Sequence, residues 1–123
     1  MLEPDLKWCL SKKDRLKIIK PDLSRSRNHL KKAKHNLLAA HYNLKGGFED
    51  WVVSQCYYAV YHAFLGILYK HGFESKNHEC TIKAITYLIK KKNLSFDEKY
   101  VSFVKTTDKM KLTTAKALRE EFQ

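Results

Sequence analysis

The sequence has few residues that interrupt helices, with only four glycines and two prolines among 123 residues. Glycine and proline are the least favourable residues inside a helix, so their scarcity lets long helices run without breaks. The chain also contains no stretch in which apolar and polar residues alternate with the period of a strand. These absences predict an all-α fold, and the length and the 44% hydrophobic fraction predict one folded domain.

Acidic residues are scarce, because 13 Asp and Glu oppose 24 Lys and Arg and leave a formal net charge of +11. A surface of this sign attracts polyanions, and nucleic acid is the first candidate. Anionic lipid head groups and an acidic partner protein are the alternatives on charge alone. A further interpretation is that the charge only keeps a small protein in solution.

Patterns typical of metal, cofactor and nucleophile sites are missing as well. The three cysteines, Cys9, Cys56 and Cys80, are widely spaced and odd in number, so neither a disulfide framework nor a zinc site is predicted. Free thiols fit a reducing cytosol, and the N-terminus lacks the basic and then apolar run of a signal peptide, so we expect a cytoplasmic protein. No histidine pair is spaced for one helix face, and no glycine-rich phosphate loop occurs. We therefore expect no metal and no cofactor.

Helix signals predict a single domain over 1–123, made of a bundle over 22–123 and a preceding segment, 1–20, that is an arm or a short helix. Four helices are predicted in the bundle, at about 22–45, at about 48–71, after Ser75 or Asn77, and at 97–121, the last either unbroken or divided near 109–111. In the first of them leucines recur every seven residues, at Leu23, Leu30, Leu37 and Leu44, and lysines and arginines occupy other faces.

The second predicted helix contains 19 residues, 51–69, without a formal charge. This length just reaches that of a membrane span, so a transmembrane helix is one interpretation. Polar side chains and tyrosines are spread through the middle of the stretch instead of forming belts at its ends, which favours a central helix of a protein bundle. Three small residues on one side, Ala59, Ala63 and Gly66, predict close packing within the bundle or across a homodimer.

Two histidines are candidates for a binding site, each with a structural alternative. His62 follows Tyr58 by four residues, so both side chains are expected on one face of the helix, although a hydrogen-bonded core histidine is the other interpretation. His78 opens the third helix, where backbone donors favour an anion, although a simple first-turn role is equally consistent.

The block Tyr57-Tyr58-Ala59-Val60-Tyr61-His62-Ala63 resembles the second helix of the HEPN domains, which are small helical proteins of prokaryotes. The resemblance continues to Gly72, Lys76 and His78, and the segment containing Arg119 is similar to a later motif of the family. It covers about 22–123. It implies an up-and-down helical bundle of four to five helices, usually a homodimer. The family's last segment has no counterpart in the sequence, so one interpretation is that the last helix of the bundle is missing here.

The resemblance also implies a function. Many HEPN proteins are the toxin half of a toxin–antitoxin pair with a minimal nucleotidyltransferase, and others are metal-independent ribonucleases that use an Arg, four to six residues, and then a His. No arginine and histidine of this chain have that spacing in the expected region. We therefore expect a nucleotide- or RNA-binding partner of a minimal nucleotidyltransferase, with no catalytic residue assigned.

The residues expected to bind the nucleotide or RNA are Tyr58, His62, His78, Lys111 and Arg119. The first three are expected to line a cleft, and the last two to contact phosphate. Two alternatives stay open, a metal-independent endoribonuclease and a non-catalytic, dimeric interaction module. No membrane partner is expected.

Overall fold

The computed structural model describes the backbone of residues 4–92, 94–95 and 97–121, and the side chains of these residues apart from Asp5 and 112–121. Along the chain the elements are α1 (Pro4–Leu10), β1 (Leu16–Ile18), α2 (Leu23–Lys45), α3 (Glu49–Lys70), β2 (Phe73–Ser75), α4 (His78–Lys91) and α5 (Glu98–Glu121). The predicted all-α helical bundle is confirmed. The last helix is unbroken.

Local sequence sets the ends of the helices. The side chain of Asp22 accepts a hydrogen bond of 3.0 Å from the backbone N–H of Arg25 at the start of α2, and Asn77 does the same for Cys80 at the start of α4. Gly72, after α3, has a φ of 86°, and a Cβ atom there would lie 2.9 Å from the carbonyl oxygen of Ile19. Only glycine fits this turn, which returns the chain from α3 to β2.

α3 is the central helix, because it packs against α2, α4, α5 and β2. Its buried residues lie on several sides of the helix and are Tyr57, Ala59, Phe64, Gly66 and Leu68. Packing on several sides explains why residues 51–69 carry no charge. Within the described part of the chain, no helix has the length and apolar character needed to cross a bilayer.

Gly66 lets α2 approach α3 closely. The hydroxyl of Ser26 donates a 2.7 Å hydrogen bond to the carbonyl oxygen of Gly66, and a Cβ atom at residue 66 would lie 3.1 Å from the carbonyl oxygen of Ser26. Of the three small residues singled out in the sequence, Gly66 thus serves packing within the bundle. Ala59 and Ala63 line a groove on the surface.

A short two-stranded sheet closes one end of the bundle and was not predicted. β1 pairs antiparallel with β2, and Leu16 lies opposite Ser75. Strands of three residues are too short to show the alternation by which a strand is found in a sequence. The pairing holds the segment before α2 against the segment before α4.

Cys9 and Cys80 form a disulfide bond, so the prediction of free thiols was wrong for this pair. The two residues are 71 positions apart in sequence, and no local spacing signals the pairing. They meet because α1 packs on α4, which brings their Cα atoms to 5.7 Å with both side chains completely buried. Cys56, on α3, is a free cysteine of intermediate exposure.

Candidate functional site

Three side chains from three helices meet at the junction of α3, α4 and α5. The hydroxyl of Tyr57 donates a 2.5 Å hydrogen bond to Oδ1 of Asp108 and lies 2.9 Å from Nδ1 of His78. The hydroxyl has a single hydrogen, which it donates to Asp108. The hydrogen of the second bond must therefore come from His78, whose protonated Nδ1 donates to the tyrosine oxygen. Oδ1 of Asp108 also lies 3.3 Å from the same Nδ1. These bonds leave Nε2 of His78 out of the cluster.

The tyrosines of this cluster stay protonated at neutral pH. Burial, followed by the hydrogen bond to Asp108, raises the pKa of Tyr57. Burial also raises the pKa of Tyr61, whose hydroxyl lies 3.1 Å from Oγ1 of Thr81. The ring of Tyr61 stacks on the ring of His78 with centroids 4.3 Å apart. His78 is therefore held by both hydrogen bonding and stacking although its side chain is 54% exposed.

A cation lies beside these rings. Nζ of Lys111 is 3.8 Å from the centre of the Tyr57 ring and 4.9 Å from that of Tyr58. Both distances are within the range of a cation–π interaction. The contacts keep the charge of Lys111 next to Tyr57, whose hydroxyl contacts His78, and next to the exposed ring of Tyr58.

A groove with a volume of about 600 Å³ lies between α4 and α5 and includes His78 and Asp108. We call it the α4–α5 groove. Its other residues are Leu6 from α1, Glu79, Ile82, Lys83, Thr86, Tyr87, Lys90, Lys105 and Lys109. Four lysines thus oppose two carboxylates along it, and one of those carboxylates, Glu79, pairs with Lys83 at 3.0 Å. The groove is therefore positively charged, and an anion is the ligand it favours.

The structure brings together three of the five residues predicted to bind a nucleotide or RNA. His78 is part of the cluster and lines the α4–α5 groove, and Lys111 and Tyr58 lie beside the cluster. His62 does not join them, because it faces α2 from another side of α3. The prediction for Arg119 falls on a side chain outside the described residues.

Two further residues of the cluster, Tyr57 and Asp108, were not among the predicted site residues. Tyr57 lies in the block that carries the family resemblance, so a signal for it was present in the sequence. Asp108 carries no such signal, since it is 30 positions from His78 and lies on a helix with several other polar residues. The contacts of Asp108 with Tyr57 and His78 become apparent only when α5 is packed against α3 and α4.

His62 forms a second polar cluster, between α2 and α3. Its Nδ1 atom lies 3.1 Å from Nδ1 of His29, so one imidazole donates and the other accepts. The ring of His29 also stacks on Tyr69 with centroids 5.4 Å apart, and Arg25 beside them pairs with Glu74 at 2.6 Å. His62 is thus a histidine satisfied within the protein, which was the structural alternative considered for it.

Acid is expected to weaken the packing of α2 on α3 through these histidines. Burial lowers the pKa of His29, assisted by the positive charges of His62, Lys32 and Arg25, and burial and then Lys32 lower the pKa of His62. The folded protein therefore binds fewer protons than the unfolded chain. The stability that the neutral histidines contribute is complete above the pKa of histidine in the unfolded chain, about 6.5. It is lost as the pH falls through the lowered pKa of the folded protein.

Urea unfolding between pH 7.5 and pH 5 measures this effect, because the range includes the pKa of histidine in the unfolded chain, about 6.5. The midpoint should fall on acidification and depend less on pH in His62→Gln, with a residual slope from His29 and His71, whose pKa values are also lowered by burial. The exposed His35 provides the control, and His35→Gln should behave like the wild type. An unchanged slope in His62→Gln would contradict the assignment.

Among the described residues, no three His, Cys, Asp or Glu side chains are placed to hold one metal ion. A protein-family model with the description HEPN domain matches residues 26–117, which is most of the chain and includes α3 and α4. No curated protein and no solved structure matches the chain.

Proposed function

Because the chain belongs to the HEPN domain family, we propose that it binds RNA or a nucleotide with the phosphates in the α4–α5 groove. Membership of the family supports a general role connected with nucleotides or RNA. The observation that carries the proposal is that His78 and Asp108 line a groove together with four lysines, while Lys111 lies over the ring of Tyr57, which contacts both of them.

The α4–α5 groove and the cluster beside it offer different contacts to such a ligand. Lysines on both walls, Lys90 on α4 and Lys105 on α5, are exposed and provide charge for a phosphate backbone. The exposed ring of Tyr58 provides a face on which an unpaired base can stack. Single-stranded RNA, or the phosphates and base of a nucleotide, uses both kinds of contact.

The biological setting is proposed from the family resemblance. A minimal nucleotidyltransferase is the expected partner, in a pair of the toxin–antitoxin type. A homodimer is the expected assembly, and the exposed Trp51 and Val53 near the start of α3 are apolar residues that a second copy would cover. Purification of the protein with its neighbouring gene product, followed by measurement of the mass of the complex, tests both.

A second candidate function is RNA cleavage without a metal, and the bonding of His78 favours it. With Nδ1 bonded to Tyr57, Nε2 is the nitrogen that would take the proton from a ribose 2′-hydroxyl. The 2′-oxygen would bond to phosphorus, the bond from phosphorus to the 5′-oxygen would break, and that oxygen would leave with a proton from water. Lys111 would stabilise the negative charge of the transition state.

Fluorescence anisotropy with a labelled single-stranded RNA in EDTA tests binding directly. We expect binding at about 50 mM salt that weakens linearly on a double logarithmic plot as salt is raised, since counterions are released from the phosphates. A nucleoside triphosphate should compete with the RNA. If the protein binds neither RNA nor a nucleotide at low salt, the proposal is refuted.

The same samples distinguish binding from cleavage. Products that end in a 2′,3′-cyclic phosphate, formed in EDTA and lost in His78→Gln, would support the nuclease. Intact RNA that is nevertheless bound would support the binding function alone. A matched DNA strand, which lacks the 2′-hydroxyl, should bind without being cut in either case.

A further inference from the structure

A second groove lies on the other flank of the bundle, between α2, α3 and α5. Its volume is about 420 Å³. The residues that line it are Ala33, Lys34, Leu37, Ala59, Val60, Ala63 and Tyr100. We call it the α2 groove. Its lining is almost entirely apolar, and Lys34 is the only charged residue among the described residues that line it, so an apolar ligand surface is required to fill it.

α2 presents three parallel rows of side chains beside this groove. Ser26, Ala33 and Ala40 form the inner row, in which all three are buried or partly buried against α3. One step round the helix come Leu23, Leu30, Leu37 and Leu44, all of which are between 41% and 55% exposed. The next step brings Arg27, Lys34 and His41, which are exposed. A leucine row about 30 Å long is therefore bordered by a basic row.

The charge of α2 has one sign only. Over its 23 residues it carries six lysines and arginines and no carboxylate. A partner that covers the leucine row must approach the basic row, and acidic side chains on the partner would be attracted there. A second α2 helix from another copy would instead bring two basic rows together, which is unfavourable.

The side chains in and beside the groove argue for a helix as the occupant. The small residues Ala33, Ala59 and Ala63 line it together with the larger Leu37 and Tyr100. Leu37 belongs to the leucine row, which runs along α2 for the length of a helix of about 20 residues. An amphipathic helix, which binds through apolar residues spaced three and four apart, can lie along such a row.

We propose that the α2 groove binds an amphipathic helix of a partner protein, with an apolar stripe against Leu37 and acidic residues on its flank against Lys34. The apolar stripe would bury the half-exposed leucines. The acidic flank would supply the carboxylates that α2 lacks. This site is separate from the α4–α5 groove and does not depend on binding of RNA.

Two synthetic helical peptides of about 20 residues, a length that matches the leucine row, test the proposal with the full-length protein. Both carry the same leucine stripe, and one has glutamates and the other lysines at the flanking positions. By fluorescence anisotropy the glutamate peptide should bind and the lysine peptide should not. Leu37→Lys should weaken binding by at least about tenfold.

Leu38→Lys is the matched control, because Leu38 is on the same helix and 61% exposed but does not line the groove. It should leave the affinity unchanged. Circular dichroism checks that both variants fold. If Leu37→Lys does not fold, Lys34→Glu serves instead, since Lys34 is exposed and its reversal should weaken the glutamate peptide and improve the lysine peptide.

Three results would overturn the proposal. The first is a failure of the glutamate peptide to bind below about 1 mM, or equal binding of both peptides. The second is a homodimer in light scattering that Leu37→Lys dissociates and Leu38→Lys does not, which would make a second copy the occupant. The third is binding to anionic phospholipid vesicles that is lost only in Leu37→Lys, which would make the groove a membrane contact.

Discussion

The double variant Lys90→Glu/Lys105→Glu is expected to bind single-stranded RNA about 100-fold more weakly than the wild type at low salt. The two lysines face the α4–α5 groove from opposite walls, so the change reverses the charge on both sides of the proposed phosphate path. The slope of log affinity against log salt should become shallower by about two, because two phosphate contacts are lost. Fluorescence anisotropy across a salt series measures both quantities.

Lys31→Glu/Lys45→Glu is the matched control for this experiment. It changes the net charge by the same amount, but both residues are exposed on α2, which packs mainly on α3, and neither is among the described residues that line the α4–α5 groove. This variant should lose only a small fraction of the affinity. Equal losses in the two double variants would mean that RNA is attracted by the overall positive charge and has no path through the groove.

Breaking the bond between Cys9 and Cys80 is expected to lower the free energy of unfolding by about 4 kcal/mol. The bond closes a loop whose ends are 71 positions apart, so it removes a large part of the conformational entropy of the unfolded chain. It also holds α1, whose Leu6 is part of the core and lines the α4–α5 groove. Urea unfolding with and without a thiol reductant measures the loss.

Cysteine substitutions separate the bond from other effects of the reductant. Cys9→Ser should be as unstable without reductant as the wild type is with it, and reductant should not change it further. Cys56→Ser is the control, because Cys56 is the free cysteine, and it should keep the full response to reductant. A thiol titration of the unfolded wild type that finds three free thiols would contradict the disulfide itself.

The bundle could be predicted from local patterns. Asp22 and Asn77 begin helices, Gly46 and Gly72 follow the ends of helices, and the uncharged residues 51–69 predict the central helix. Each of these signals acts over a few residues, through a capping hydrogen bond, a backbone dihedral angle or the hydrophobic effect. The same is true of the block from Tyr57 to Ala63, whose resemblance to HEPN domains the family match confirms.

The candidate site could be predicted only in part. His78 and Lys111 were selected from the sequence, but both contact Tyr57 only because α4 and α5 pack on α3. His62 was expected to share a cleft with Tyr58 because four residues separate them. However, α2 and α5 lie on different sides of α3. His62 therefore contacts His29 on α2, whereas Tyr58 lies beside Lys111 on α5.

The helices of the bundle, their order, the family and the positive charge could all be predicted, because they depend on neighbouring residues and on composition. The packing of the helices sets the bond between Asp108 and Tyr57, the disulfide between Cys9 and Cys80, and the groove that Leu37 of α2 lines. These contacts join residues 51, 71 and more than 20 positions apart. Pairing over such distances is set by how whole helices pack, and no local pattern of residues records it.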